Sequence, residues 1–222
     1  MINIYKYITI AGLAVSSAQA VTLVTYDFNA GLGATNAGAI VTGSDITDTP
    51  ALGNFLLTNP EISAGVLAYD SDVLQVSDGT GNIDDAVAQN ASFSLTLSGT
   101  ENFTLDSLSF DLAAGGASFD RGITVRSSLT GDTNLFTVPD IVNVRTFTGG
   151  DITVDLSTFT QFDADIAAGD DVTFDFFVHT TSNGRTIELD NIVFDGAVSV
   201  PEPSSAMLLG LGATALLLRR RK

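Results

Sequence analysis

The chain has 222 residues, room for one domain of ordinary size with appendages, and it contains no cysteine, no tryptophan and a single histidine, His179. Disulfide frameworks, thiolate zinc sites, iron-sulfur clusters, cysteine nucleophiles and multi-histidine metal sites are thereby excluded. With 26 acidic residues against 9 basic ones it is strongly anionic, so no nucleic acid is expected as a partner, because phosphates need a basic face.

Residues 1–20 read as a secretory signal peptide. Lys6 and the terminal amine form a short charged region, Ile8 to Val15 an apolar run, and Ala18 and Ala20 an A-x-A cleavage site that makes Val21 the first mature residue. The apolar run is too short to span a bilayer core of about 30 Å. Between residues 21 and 200 the only cations are Arg121, Arg126, Arg145 and Arg185, set against 25 acids. Of all 26 acids, 22 are Asp and four are Glu. Asp hydrogen-bonds nearby backbone and favours turns over helix interiors, so the body is predicted to be rich in turns and poor in helix.

The body, expected over 21–198, opens with a strand at Val21 to Phe28, followed by a small-residue stretch over 29–68 of loops and short edge strands. From residue 90 onward apolar residues recur at every second position, which places them on one face of a strand. Phe93, Leu95 and Leu97 form the first such face, and Leu108, Phe110 and Leu112 the second. Ile123 with Val125, and Ile152, Val154 and Leu156, follow. Val172, Phe174, Phe176 and Val178 make the clearest buried face, and Ile187, Leu189, Ile192 and Phe194 the last. Turn signals punctuate them at Leu129-Thr130-Gly131-Asp132, at Thr148-Gly149-Gly150-Asp151 and at Asn183-Gly184, the last reading as a hairpin between the two final strands. The expected fold is all-β, an antiparallel two-sheet sandwich of jelly-roll type.

The tail, residues 199–222, runs from Pro201-Glu202-Pro203 through an apolar stretch, Ala206 to Leu218, to Arg219, Arg220, Arg221 and Lys222. The prolines deny the backbone a helix start before Ser204. The apolar stretch then makes a helix of about 20 Å, short for a bilayer and interrupted by Gly210 and Gly212. The cationic end stays on the cytoplasmic side, so the tail reaches the membrane with the bulk of the chain outside. This order of parts, together with the leader, resembles the PEP-CTERM sorting signal of exopolysaccharide-producing Gram-negative bacteria. The resemblance implies recognition by an exosortase-type membrane protease, removal of the tail, and delivery to the cell surface or an extracellular matrix. More weakly, Leu108 to Asp111, Ile123 to Ser128 and Leu189 to Phe194 resemble a jelly-roll module of the carbohydrate-binding type.

In the last strand the apolar positions switch from odd (Ile187, Leu189) to even (Ile192, Phe194), so a β-bulge is expected at Asp190-Asn191. Similar jelly-roll modules hold a structural calcium between the first and last strands. The resemblance therefore implies Ca²⁺ with Asp27, Asn29, Asp190 and Asn191 as oxygen donors. A second acidic stretch, Asp78 to Asp85, has alternating oxygens but carries Ile83 and Gln89 where an EF-hand needs Gly and Glu, and reads as a solvated turn. His179 sits opposite the Phe174/Phe176 face, no G-x-S-x-G elbow exists, and no triad is assigned. The expected function is that of an exported, non-catalytic surface or extracellular-matrix protein, structural or adhesive in an exopolysaccharide. A calcium-dependent carbohydrate-binding module and an extracellular polysaccharide-degrading enzyme are the alternatives.

Overall fold

The computed structural model describes residues 21–29, 31–36, 38, 40–49, 52, 54–58, 73–77, 82–115, 121–139, 141, 152–180 and 186–199. The expected signal peptide, the Asn183-Gly184 turn, the Thr148 to Asp151 turn and the tail beyond Ser199 lie outside these residues. In chain order the strands are β1 (Val21–Tyr26), β2 (Thr35–Asn36), β3 (Val41–Gly43), β4 (Thr47–Asp48), β5 (Asn54–Thr58) and β6 (Val73–Ser77), then a short helix, α1 (Ile83–Gln89). They continue with β7 (Ser92–Gly99), β8 (Phe103–Gly115), β9 (Arg121–Ser127), β10 (Phe136–Val138), β11 (Ile152–Asp155), β12 (Asp171–Thr180) and β13 (Thr186–Val198).

All pairings among these strands are antiparallel and fall into two sheets. One runs β11-β8-β13-β1-β2, with β5 and β6 continuing along β13, and the other runs β10-β9-β12-β7-β3, with β4 also on β7. From β7 to β13 the chain changes sheet at every step except β9 to β10, which is jelly-roll connectivity. That one hairpin turns at the expected Leu129 to Asp132, where Gly131 takes φ 57°. The expected hairpin between the last two strands does not form. β12 pairs with β7 and β9, whereas β13 pairs with β1, β6 and β8 in the other sheet. Both edges of β12 are already taken, by β7 and β9, so β13 cannot pair with it.

The alternation read from the sequence fills the space between the sheets. Phe176 stacks on Phe93 at 4.7 Å and meets Phe110 of the opposite sheet edge-on at 5.9 Å. Phe174 lies 4.7 Å from Phe194, also across the sandwich, and 6.3 Å from Phe162. Such pairs add about 0.5–1.5 kcal/mol each beyond the area they bury. The helix α1 was not expected. Asn82 caps it, its Oδ1 accepting the Asp85 N–H at 3.0 Å, and Asp84 and Asp85 lie in its first turn, where the helix dipole favours acids. Asn90 closes this helix with φ 56°.

Tyr26 is fully buried at the end of β1, its hydroxyl donating to the Ser44 carbonyl at 2.9 Å. Burial, joined by the nearby Asp45 carboxylate, raises its pKa above the ordinary value of 10.0. The folded state thus holds this proton more tightly than the unfolded one. Its contribution to stability is complete below the unfolded value and is lost as pH rises above about 10 toward the folded value. Thermal melts from pH 8 to 11.5 should therefore fall more steeply for the wild type than for Tyr26→Phe. At neutral pH that variant should be less stable by about 1 kcal/mol, for the lost hydrogen bond.

Candidate functional site

The expected bulge in β13 is present. Asp190 stands opposite Asp111 of β8 and Val193 opposite Ser109, so Asn191 and Ile192 together face the single residue Phe110. Asn191 accommodates the extra residue in the left-handed region, φ 47°. Its N–H donates to Asp190 Oδ1 at 2.7 Å and its Nδ2 to Asp111 Oδ2 at 2.9 Å. Asp111 and Asp190 are 3% and 6% exposed, and two carboxylates facing each other across a ladder repel. The two donors from Asn191, one to each, offset that repulsion.

The first strand ends at the same place. Its last pair joins Tyr26 to Ile192, the residue that follows Asn191, and Asp27 comes next in the chain. Phe28 then turns the chain at φ 56° with its side chain buried, and the exposed Asn29 donates its N–H to Asp27 Oδ1 at 3.3 Å. The structure thus brings Asp190 and Asn191 together and adds Asp111, which the sequence reading did not single out. Asp27 follows the last paired residue of β1, and Asn29 comes beyond the turn at Phe28. Among the described residues no three His, Asp or Glu side chains gather as a metal site. A cation here would draw on carboxylate oxygens of Asp111 and Asp190 with amide, main-chain or water oxygens.

Replacing Asn191 separates its two roles. Asn191→Ala loses the bond to Asp111 and keeps the unfavourable backbone, whereas Asn191→Gly loses only the bond. In urea unfolding the alanine variant should be the less stable of the two by about 1 kcal/mol.

The remaining sequence candidates are accounted for differently. His179 does lie opposite the Phe174/Phe176 face, but it is buried, at 1% exposure, in a strand paired through Gly122. Arg121 shares the inward face of β9 with Ile123 and Val125 and is fully buried. Arg126 lies on the outer face, 5.6 Å over the Phe177 ring and 3.2 Å from the fully exposed Asp132, a surface pair worth little. Arg145, Arg185 and residues 78–81 lie outside the described residues.

At the end of the sandwich away from His179 and Arg121, the last strand leaves the fold. Val198 pairs with Phe103, and the Ser199 N–H donates to the Asn102 carbonyl at 2.8 Å while its hydroxyl donates to Asp165 Oδ2 at 3.1 Å. Phe103 and Ile166 exchange two backbone bonds, of 3.0 and 2.8 Å, which holds the Asp165 loop against this exit. Val21 of β1 pairs with Gly196, so the chain enters the sandwich at the same end.

From Ser199 onward, residues 199–222 match the PEP-CTERM protein-sorting motif. The chain carries a PEP-CTERM sorting signal. A PEP-CTERM signal marks an exported protein recognised by an exosortase, a membrane protease. Among the described residues no helix is long and apolar enough to cross a membrane. Among solved structures this PEP-CTERM chain is similar to the K3 cleaved adhesin domain of Lys-gingipain from Porphyromonas gingivalis W83, with TM-score 0.40 and 17% identity over 80% of this chain and 99% of that one. It is also similar to the N-terminal CBM22-1-CBM22-2 tandem domain of Paenibacillus barcinonensis Xyn10C, with TM-score 0.40 and 14% identity over 86% of this chain and 49% of that one. No curated protein matches the chain.

Proposed function

We propose that this is a non-catalytic protein of the cell surface or extracellular matrix, released there by an exosortase-type protease and structural or adhesive within an exopolysaccharide. The observation that carries the reading is the PEP-CTERM signal joined directly to a disulfide-free β-sandwich. A body with 25 acids and four arginines repels acidic polysaccharide, so its retention depends on divalent cations that screen or bridge the two. Intact mass and location in cells with and without the exosortase test the reading. With the enzyme, a species lacking residues 1–20 and the apolar tail is expected outside the cell. Without it, a membrane-held species that keeps the tail is expected. Full-length, soluble polypeptide inside the cells would overturn the reading.

A second reading, a calcium-dependent carbohydrate-binding module, is supported by the meeting of Asp111, Asp190 and Asn191 at the bulge of β13, where β1 ends. A folded-state ligand raises the melting temperature by mass action. Millimolar calcium should then raise the melting temperature of residues 21–199 by several degrees over excess chelator, and Asp190→Asn should abolish the difference. Identical melting in calcium and chelator counts against it.

A further inference from the structure

The sorting signal has almost no spacer from the folded body. Ser199 is the last residue that the described fold holds, tied by one bond to the Asn102 carbonyl and one to the Asp165 carboxylate, and Pro201 of the signal is two residues on. The loops that hold it are themselves fixed. Asn102 Oδ1 accepts the Ala168 N–H at 3.0 Å, Gly169 N–H donates to the Gly99 carbonyl at 2.8 Å, and Phe103, fully buried, is bonded both ways to Ile166. The apolar run starts at Ala206, and the six residues from Val200 to Ser205 span at most about 20 Å even when fully extended. While the tail is in the membrane, this end of the sandwich must therefore face the bilayer closely, and the opposite end, with Arg121 and His179, points away.

A protease that cleaves within or beside Pro201-Glu202-Pro203 must take the flanking backbone into its cleft in extended form, several residues to a side. On the body side only Val200 is available without opening the contacts of Ser199. We infer that Asn102, Ser199 and Asp165 form a clip that positions the sorting signal against the sandwich, and that opening it limits removal of the tail. The inference rests on the processing proposed above. Asp165 and Asn102 act here as positioning residues, through Ser199.

The test is pulse labelling of the full chain in exosortase-bearing cells, with the rate of tail loss read from the size of the labelled protein. Six Gly/Ser residues inserted between Ser199 and Val200 leave the body and the Pro-Glu-Pro segment intact and should speed tail loss about tenfold. Asp165→Ala removes one of the two bonds, outside the signal, and should speed it about two- to threefold, the value of one exposed hydrogen bond. Unchanged or slower tail loss in the spacer variant would overturn the clip while leaving exosortase processing intact. Retention of the tail in every form, the wild type included, would overturn the processing itself and the clip with it.

Discussion

Phe176→Ala is expected to lower the stability of the sandwich by about 3–5 kcal/mol, the usual cost of emptying a large aromatic site in a core. Phe176 is fully buried in β12, a strand paired along both edges. It stacks on Phe93 of its own sheet and takes the edge of Phe110 from the other, so it couples two strands within a layer and the two layers to each other. Removing the ring leaves a cavity bounded by paired backbone on both sides, which restricts collapse. The loss should appear as a lower urea midpoint with unchanged slope, and as a melting temperature lower by roughly 10 °C. Phe177→Ala, on the outer face of the same strand and buried under Arg126 rather than between the sheets, should cost less; equal losses would mean that the ring contacts of Phe176 across the sandwich add nothing to its burial.

The second large effect is expected at Gly196, where β13 lies between β1 and β8. A Cβ built there would stand 1.9 Å from the Thr104 carbonyl oxygen and 2.9 Å from Leu23 Cδ1. The first neighbour is backbone and has no rotamer by which to move away. Gly196→Ala must therefore push β8 and β13 apart where the ladder already shifts register between Asp195 and Gly196. A loss of about 3 kcal/mol or more is expected, at or above the upper end for overpacking. Gly131→Ala is the control, since its φ is 57° but nothing lies within 4 Å. It should cost only about 1–2 kcal/mol, the penalty of the left-handed backbone. Equal midpoints for the two variants would show that contact with Thr104 does not govern Gly196. Because Gly196 lies three residues before Ser199, its variant should also reduce hydrogen-exchange protection of the Ser199 amide.

Much of the candidate site was legible in one dimension. The switch of apolar phase between Leu189 and Ile192 predicted the bulge, because alternation can change phase only if one residue is left over. The capping of α1 is also legible, in Asn82 followed three residues later by Asp85, but the same oxygens that cap the helix give the stretch the look of a solvated acidic turn. Asp111 was not. It reads as one polar residue among others in an alternating strand, and its role comes from Asn191, which is 80 residues away. The partners of β12 and β13 were equally hidden, because Asn183-Gly184 describes a turn and carries no information about which edges are free.

The sequence by itself determined the alternating strands from Phe93 onward, the face each of them buries, and the address at the C-terminus, because each is written in the order of neighbouring residues. Only the tertiary structure decided that Arg121 and His179 are interior, that Asp111 meets Asp190, and that Ser199 is bound beside the sorting signal. Those facts depend on strand register between segments tens to more than a hundred residues apart, such as Thr22 with Asp195, and register is set by the packing of two whole sheets.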